Sequence, residues 1–238
     1  MKILHVSDWH GRDPRWQDID GKGFTDWYGR DMRTIVHTID KAKPDMLIMT
    51  GDMLGNMYGD QQDAIWQTEQ LTAGETVVNR LLEQFANIPV LYLMGNHEFV
   101  TFTQARNALA RYPNLLLPQA EIDTFTVNGV NFLTVMGSLV IPNNKVWCNE
   151  LTEDRFAARL SYASDIPHDV LVCHGPPHKC LDSTYTGEIV GSPALRSFIM
   201  KHQPKLFLCG HIHESRGMAS LGSTLCYNSA ETAQLIGL

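Results

Sequence analysis

Ten histidines stand in this sequence, and several lie beside Gly, Asp or Asn where a short apolar run has just ended. Five such endings recur: Asp8 and His10 after residues 2–7, Asp52 after 46–50, Asn96 and His97 after 90–94, His174 after 169–173, and His211 and His213 after 205–209. The residue types suit a pair of divalent or trivalent metal ions. Carboxylates supply charge and can bridge two ions, imidazoles suit Mn, Fe, Zn and Ni, and Asn gives a neutral oxygen. Asp8-x-His10 and His211-x-His213 put alternate side chains on one side of an extended segment, so each pair can bind from one direction. Each fragment alone says little. Gly-Asp is ordinarily a turn, His97 alone reads as a helix-start histidine, and a lone His on an apolar strand, such as His5, is ordinarily a satisfied structural residue. The ordered recurrence of all five is what points to metal chemistry.

Such residues can act together only if their segments end in one place. In an α/β sheet the strand ends gather along one edge, where sites form. The five apolar runs are therefore expected to be strands. Between them, Met32, Ile35, Val36 and Ile39 repeat with helical spacing, and that helix should end before Pro44. A stripe over 77–85 and the stretch 102–112 also read as helices. Thr152 is placed to cap a helix over 152–163, and Ser192-Pro193 opens another. Asn128-Gly129 between apolar runs signals a tight hairpin of antiparallel strands. Residues 224–228 form a last short strand. The polar stretch 12–29 reads as a loop at the mouth of the site. The Gln-rich stretch 55–74 reads as a lid, an extra helix or an oligomer contact. No internal repeat, low-complexity tract or linker interrupts the pattern, so residues 1–238 are expected to form one α/β domain.

Composition narrows the setting. Hydrophobic residues make up 44% of the 238 and charged residues 19%, enough apolar material for a full core and too little charge for a disordered chain. A net charge of -7 argues against non-specific nucleic-acid binding, which relies on basic residues. The five cysteines form no CxxC pair, and Cys173, Cys209 and Cys226 lie in apolar runs as buried thiols, which suits a reducing compartment. No secretory signal and no membrane-length apolar stretch is visible, so a soluble cytoplasmic protein is expected.

The order DWH, GD, GNHE, HG and GHIH resembles the calcineurin-like metallophosphoesterase superfamily, over nearly the whole chain from Asp8 to His213. The resemblance implies a four-layer α/β/β/α sandwich: two sheets face to face with helices outside, the Asn-Gly hairpin belonging to the second sheet. Carried over by position, it gives Asp8, His10 and His213 to a first metal and Asn96, His174 and His211 to a second. Asp52 bridges them. His97 follows the Asn ligand, binds no metal, and sits beside the phosphate as general acid or charge stabiliser. Manganese is the metal expected first, with Fe, Zn or Ni as alternatives. Two ions roughly 3.5–4 Å apart can hold a hydroxide and the phosphoryl oxygens, with in-line attack on phosphorus and His97 donating to the leaving alkoxide. Two positions depart from the usual pattern. Glu98 stands where many relatives have Asp, a change expected to alter only loop contacts. Gly55 stands where many have an acidic residue or Asn. Arg12 is a candidate for the substrate phosphate. His178 reads as a rim residue, and His37, His168 and His202 as surface histidines.

Three readings fit. The HGPP turn and the GHIHESRG stretch resemble a subfamily of small-molecule phosphodiesterases, some acting on cyclic nucleotides. The N-terminal half, with SDWH, PDMLIMTGDML and PVLYLMGNHE, resembles the repair exonucleases of the same superfamily, although the chain carries no extra DNA-binding region after the last motif. A non-catalytic scaffold is the third reading, and it ranks last because every matched position is filled. The expected partner is a phosphoester, foremost a nucleotide. Nucleic acid and an oligomeric partner stay open, and a membrane is not expected.

Overall fold

The computed structural model describes residues 1–10, 41–54, 77–98, 100–141 and 149–238. The expected helix over 32–39, the stretch 55–74, Gly55, His37, Cys148 and Arg12 lie outside the described residues. From the N-terminus the described strands are β1 (Lys2–Val6), β2 (Met46–Met49), β3 (Val90–Tyr92), β4 (Leu115–Leu116), β5 (Ile122–Val127), β6 (Val130–Val135), β7 (Ser138–Leu139), β8 (Glu150–Leu151), β9 (Val170–Cys173), β10 (Leu206–Cys209), β11 (Gly217–Leu221), β12 (Thr224–Asn228) and β13 (Ala233–Gly237).

They form two large mixed sheets. One runs β13-β1-β2-β3-β4, the other β11-β12-β10-β9-β6-β5, and β7 and β8 make a small parallel pair. β1, β2, β3 and β4 pair in parallel, as do β12, β10, β9 and β6. The strand period of two decides which way each residue faces. In the second sheet Val170, Val172, Leu206 and Leu208 join a core shared with Ile3, Leu47 and Leu91 of the first. Their neighbours Leu171, Cys173, Phe207 and Cys209 turn the other way and pack with Phe156, Leu160, Leu195 and Ile199 of two helices. The two sheets thus lie against each other, and helices Glu153–Tyr162 and Pro193–His202 cover the far side of the second.

Local chemistry fixes the connections. Asn128 and Gly129 take φ of 52° and 78°, as a two-residue hairpin turn demands, and set Val127 opposite Val130. Thr152 caps its helix by accepting from Arg155 N, with Glu153 and Asp154 in the first turn opposing the helix dipole. Ser192 accepts from Leu195 N, and Pro193 starts the helix where its missing N–H costs nothing.

Several expectations are corrected. β3 stops at Tyr92 rather than at 94, because the chain leaves the sheet to build a site loop. The helix from Phe102 ends at Leu109, short of 112. Residues 224–228 are not the last strand: β13 follows and pairs antiparallel with β1. β11 and β13 are edge strands with Gly, Ala, Ser and Gln in half-exposed or exposed positions, so they show little of the apolar alternation that marks a strand. His168 and His202 are not simply surface residues; their rings flank Phe198, with centroids 5.8 Å and 4.3 Å from it. Cys173, Cys209 and Cys226 are buried free thiols as expected, and so is Cys180. No described helix is long and apolar enough to cross a membrane.

Candidate metal centre

Three of the five strand endings turn sharply through left-handed residues. Asp8, His10, Asp52 and His211 have φ of 55°, 44°, 53° and 72°, in the left-handed region. A non-glycine residue there costs about 1–3 kcal/mol, a conformation that persists only where surrounding structure fixes it. Backbone bonds between loops provide that fixing: Asp8 N donates to Gly51 O at 3.0 Å, and His10 N to Asp52 O at 2.9 Å. Two glycines admit the side chains. A Cβ on Gly95 would strike the Asp52 carboxylate and the His174 ring, and one on Gly210 would strike Asp8 and Ser7.

The side chains then meet in three overlapping groups, each with its nitrogen and oxygen atoms within 4.8 Å of one another: Asp8, His10 and His213; Asp52, His174 and His211; and His10, Asp52 and His97. In the first group His213 Nε2 lies 3.3 Å from Asp8 Oδ1 and 3.3 Å from His10 Nε2. In the second, His174 Nε2 lies 3.3 Å from Asp52 Oδ2 and 2.8 Å from Asn96 Oδ1. The same Asn96 oxygen is 3.2 Å from His211 Nδ1. Asp52 touches the third group through His97, whose backbone N–H donates to Oδ1 at 2.8 Å and whose Nε2 is 3.9 Å from Oδ2. Every sequence-predicted ligand is therefore in the cluster. His178 stands apart as a rim residue, 4.0 Å from Asp182 and 32% exposed. His5 is a satisfied structural histidine, bonded to Thr50 Oγ1 and Ser229 Oγ.

The cluster fits metal ions. His211 Nε2 is buried without a hydrogen-bond partner, and such an orphaned group calls for another ligand. Two imidazole nitrogens facing each other at 3.3 Å beside a carboxylate form a donor set suited to a first-row divalent ion. The protein charges agree. Burial alone would lower His174, but Asp52 and Asp8 outweigh it and raise it to about 10. Burial likewise opposes His213, yet Asp8 and Glu231 raise it to about 9. His211, lowered by burial and by His174, sits at about 3, and His10, lowered chiefly by burial, at about 4. Burial would raise both carboxylates, but His213 and His174 hold Asp8 down to about 2, and His174 and His97 hold Asp52 well below the usual range. Without metal, protons on His174 and His213 thus stand in for cations.

Sequence reasoning missed the roles of three acidic residues around this cluster. Glu98, fully buried, does far more than adjust a loop. Its carboxylate accepts from the backbone N–H of Asp52, Met53 and Leu54 and from Gly95, at 2.9, 2.7, 3.1 and 2.6 Å. It ties the Asp52 turn to the Asn96 turn. Burial and the nearby Asp52 charge raise its pKa to about 7. Glu150 accepts from Asn96 Nδ2 at 3.2 Å, turning the amide oxygen toward the imidazoles. Glu231 accepts from His213 Nδ1 at 3.0 Å. An acid adjoining a glycine turn full of free N–H groups was the available signal for Glu98; Glu150 and Glu231 carry no local one.

A sequence profile of the calcineurin-like phosphoesterases matches residues 1–215, and the chain belongs to that family. An uncharacterized protein of Methanocaldococcus jannaschii is 28% identical over 116 residues, 46% of this chain; the match spans about half, 52%, of that relative's length. Among solved structures, the protein TT1561 of Thermus thermophilus superposes with a TM-score of 0.57 at 15% identity, over 98% of this chain and 97% of that one. A phosphopantetheinyl hydrolase of Mycobacterium tuberculosis gives 0.52 at 15% identity, covering 95% and 88%. A Staphylococcus aureus protein described as a 5′-nucleotidase gives 0.53 at 18%, covering 95% of this chain and 48% of that one. Likenesses at these identities speak to the fold alone. Family membership and the cluster of carboxylates and imidazoles together mark this end of the sheets as a candidate metal centre.

Proposed function

We propose that this chain hydrolyses phosphodiester bonds in small nucleotide-like substrates, cyclic nucleotides among them, with two bound metal ions. The observation that carries the reading is the meeting of Asp8, His10 and His213 with Asp52, His174 and His211 at one end of both sheets. In this reading Asp8, His10 and His213 hold one ion, Asn96, His174 and His211 the other, and Asp52 serves both. Manganese is the first candidate, with Fe, Zn and Ni the alternatives. Bound there, the ions supply Lewis acidity toward the phosphoryl oxygens and toward water. The chain supplies the rest. His174 Nδ1 donates to Thr50 O at 2.7 Å, which leaves Nε2, beside Asn96 and Asp52, as the nitrogen to bind an ion. The His97 backbone N–H pins Asp52 Oδ1, which keeps Oδ2 turned to the imidazoles. His97, 21% exposed, stands at the mouth and delivers a proton to the leaving oxygen. Arg12 is proposed to contact the substrate phosphate. The net charge of -7 favours a small substrate over a duplex. The free thiols suit the cytoplasm.

The test is hydrolysis of bis-p-nitrophenyl phosphate beside p-nitrophenyl phosphate by chelated protein, with and without Mn²⁺. Diester cleavage that returns only with metal is expected, followed by activity on cyclic nucleotides. Preference for DNA over every small diester would make the chain a nuclease. No turnover of any of these substrates with two ions bound would overturn the reading in favour of a scaffold.

A further inference from the structure

Arg216 and Glu231 lie past the residues that the family profile matches. After His213 the chain makes β11 and β12 and returns through residues 228–232 to the metal cluster. That return is tightly held. Ser229 N donates to Cys209 O at 3.1 Å and Glu231 N to Ser7 O at 2.9 Å. Trp9 Nε1 donates to Thr232 O at 2.9 Å, and Asn228 Nδ2 to Ile212 O at 2.8 Å. The segment is therefore fastened to the loops after β1 and β10, both of which carry candidate ligands. Glu231 itself takes a left-handed φ of 56°.

This conformation aims its carboxylate at His213. The side chain is 8% exposed, with Oε1 3.0 Å from His213 Nδ1. Oε2 lies 3.2 Å from Arg216 Nη1. A carboxylate only accepts, so Nδ1 must carry a proton, which leaves Nε2 as the nitrogen to bind an ion. Nε2 is the atom 3.3 Å from Asp8 Oδ1 and 3.3 Å from His10 Nε2. Such a partner fixes both tautomer and ring orientation of a metal-binding histidine. We infer that Glu231 is a positioning residue for the metal site of Asp8, His10 and His213, and that Arg216 holds Glu231 in place. The inference rests on the metal-centre reading above. It places part of the site's control in the C-terminal return, where no ligand motif stands.

The experiment is a Co²⁺ titration of chelated protein, followed by visible absorption, for wild type, Glu231→Gln and Arg216→Met. Glutamine keeps the shape and an acceptor oxygen but loses the charge. Wild type should bind two ions. Glu231→Gln should weaken one of them roughly 10–100-fold and leave the other in place. Arg216→Met should shift the same ion, by less. Metal-free Glu231→Gln should stay folded and lose only the modest stability of its pair with His213. Ring ¹⁵N spectra of the Zn²⁺ form should show an exchange-protected His213 Nδ1–H in wild type that exchanges faster in the variant. Wild-type affinity at both sites in Glu231→Gln would overturn the inference. So would equal weakening of both sites with a much lower metal-free melting temperature, which marks a merely structural residue. A wild type that binds fewer than two ions would remove the metal-centre reading and this inference with it. Two ions bound without phosphoester turnover would fail the proposed activity alone, and the titration would still support the role of Glu231.

Discussion

Glu98→Gln is the substitution with the clearest structural magnitude. One carboxylate oxygen accepts from Asp52 N and Gly95 N, the other from Met53 N and Leu54 N. Glutamine fills the same volume, so no cavity opens. Its amide nitrogen must replace one of the two oxygens and point its own hydrogens at two backbone N–H groups. Either orientation of the amide leaves two buried donors without an acceptor, at about 1–3 kcal/mol each. Against that, the variant removes a buried charge beside Asp52, the like charge that, after burial, raises the Glu98 pKa. The opposing effect brings the expected loss to about 3 kcal/mol, near the lower middle of the two-donor range. For a chain of this size about 1 kcal/mol shifts the melting temperature by about 2–4 °C, so a fall of about 6–12 °C is expected. Thermal melts of the metal-free protein, checked by urea unfolding, measure it. Turnover should fall too, because the loosened turns carry Asp52 and Asn96. A variant that melts within about 2 °C of wild type and keeps its turnover would show that the four bonds to Glu98 hold neither turn.

His97→Ala should keep both metal ions and lose about 10²–10⁴-fold in turnover, most for poor leaving groups; normal cleavage of a nucleotide diester would remove His97 from the mechanism. Asp52→Asn should lower occupancy of both ions in elemental analysis, and two full equivalents of metal would contradict a shared ligand. Because Asp52 and Asp8 raise His174 to about 10 and Asp8 and Glu231 raise His213 to about 9 against the opposing effect of burial, both rings are protonated at neutral pH without metal. Metal must displace those protons, so about two should be released per loaded protein near pH 7.5, and affinity should rise with pH up to about 10, more shallowly above about 9; calorimetry in buffers of different ionisation heat would detect it, and binding without proton release would refute the argument.

The site was easier to read in the sequence than the frame that completes it. Asp8, Asp52, Asn96, His174 and His211 each follow an apolar run at once, so strand, turn and functional group sit within a few residues and mark one another. Thr152, Ser192 and Asn128-Gly129 were legible for the same reason: their roles are local. Glu150 and Glu231 were not. Each acts on a residue far along the chain, Glu150 on Asn96 and Glu231 on His213, and nothing beside them announces it. β11 and β13 escaped notice because an edge strand buries one face at most, leaving GMASL and AQLIG without a strand-like pattern. Glu98 shows a further limit. Its type and position were noticed, but its worth comes from four N–H groups on two turns, which only the folded chain brings together.

The two sheets also explain why the site sits where it does. Asp8, His10, Asp52 and Asn96 leave the first sheet; His174, His211 and His213 leave the second. Each candidate metal group that holds His174, His211 or His213 draws from both, so its geometry depends on how the sheets are registered across their shared core. A slide of one sheet on the other by even an ångström would open distances such as His213 Nε2 to Asp8 Oδ1, 3.3 Å as built. The chain opposes such a slide close to the site. The return after β12 bridges Ala230 to Ser7, bonds Glu231 N to Ser7 O, then enters β13 and pairs with β1. One continuous segment thus leaves the second sheet and becomes the edge of the first within a few residues of the ligands. Packing of the core gives the sheets their separation, but this covalent and hydrogen-bonded tie fixes their offset at the end where the chemistry is proposed. Substitutions that loosen the return should therefore disturb metal binding before they disturb the fold.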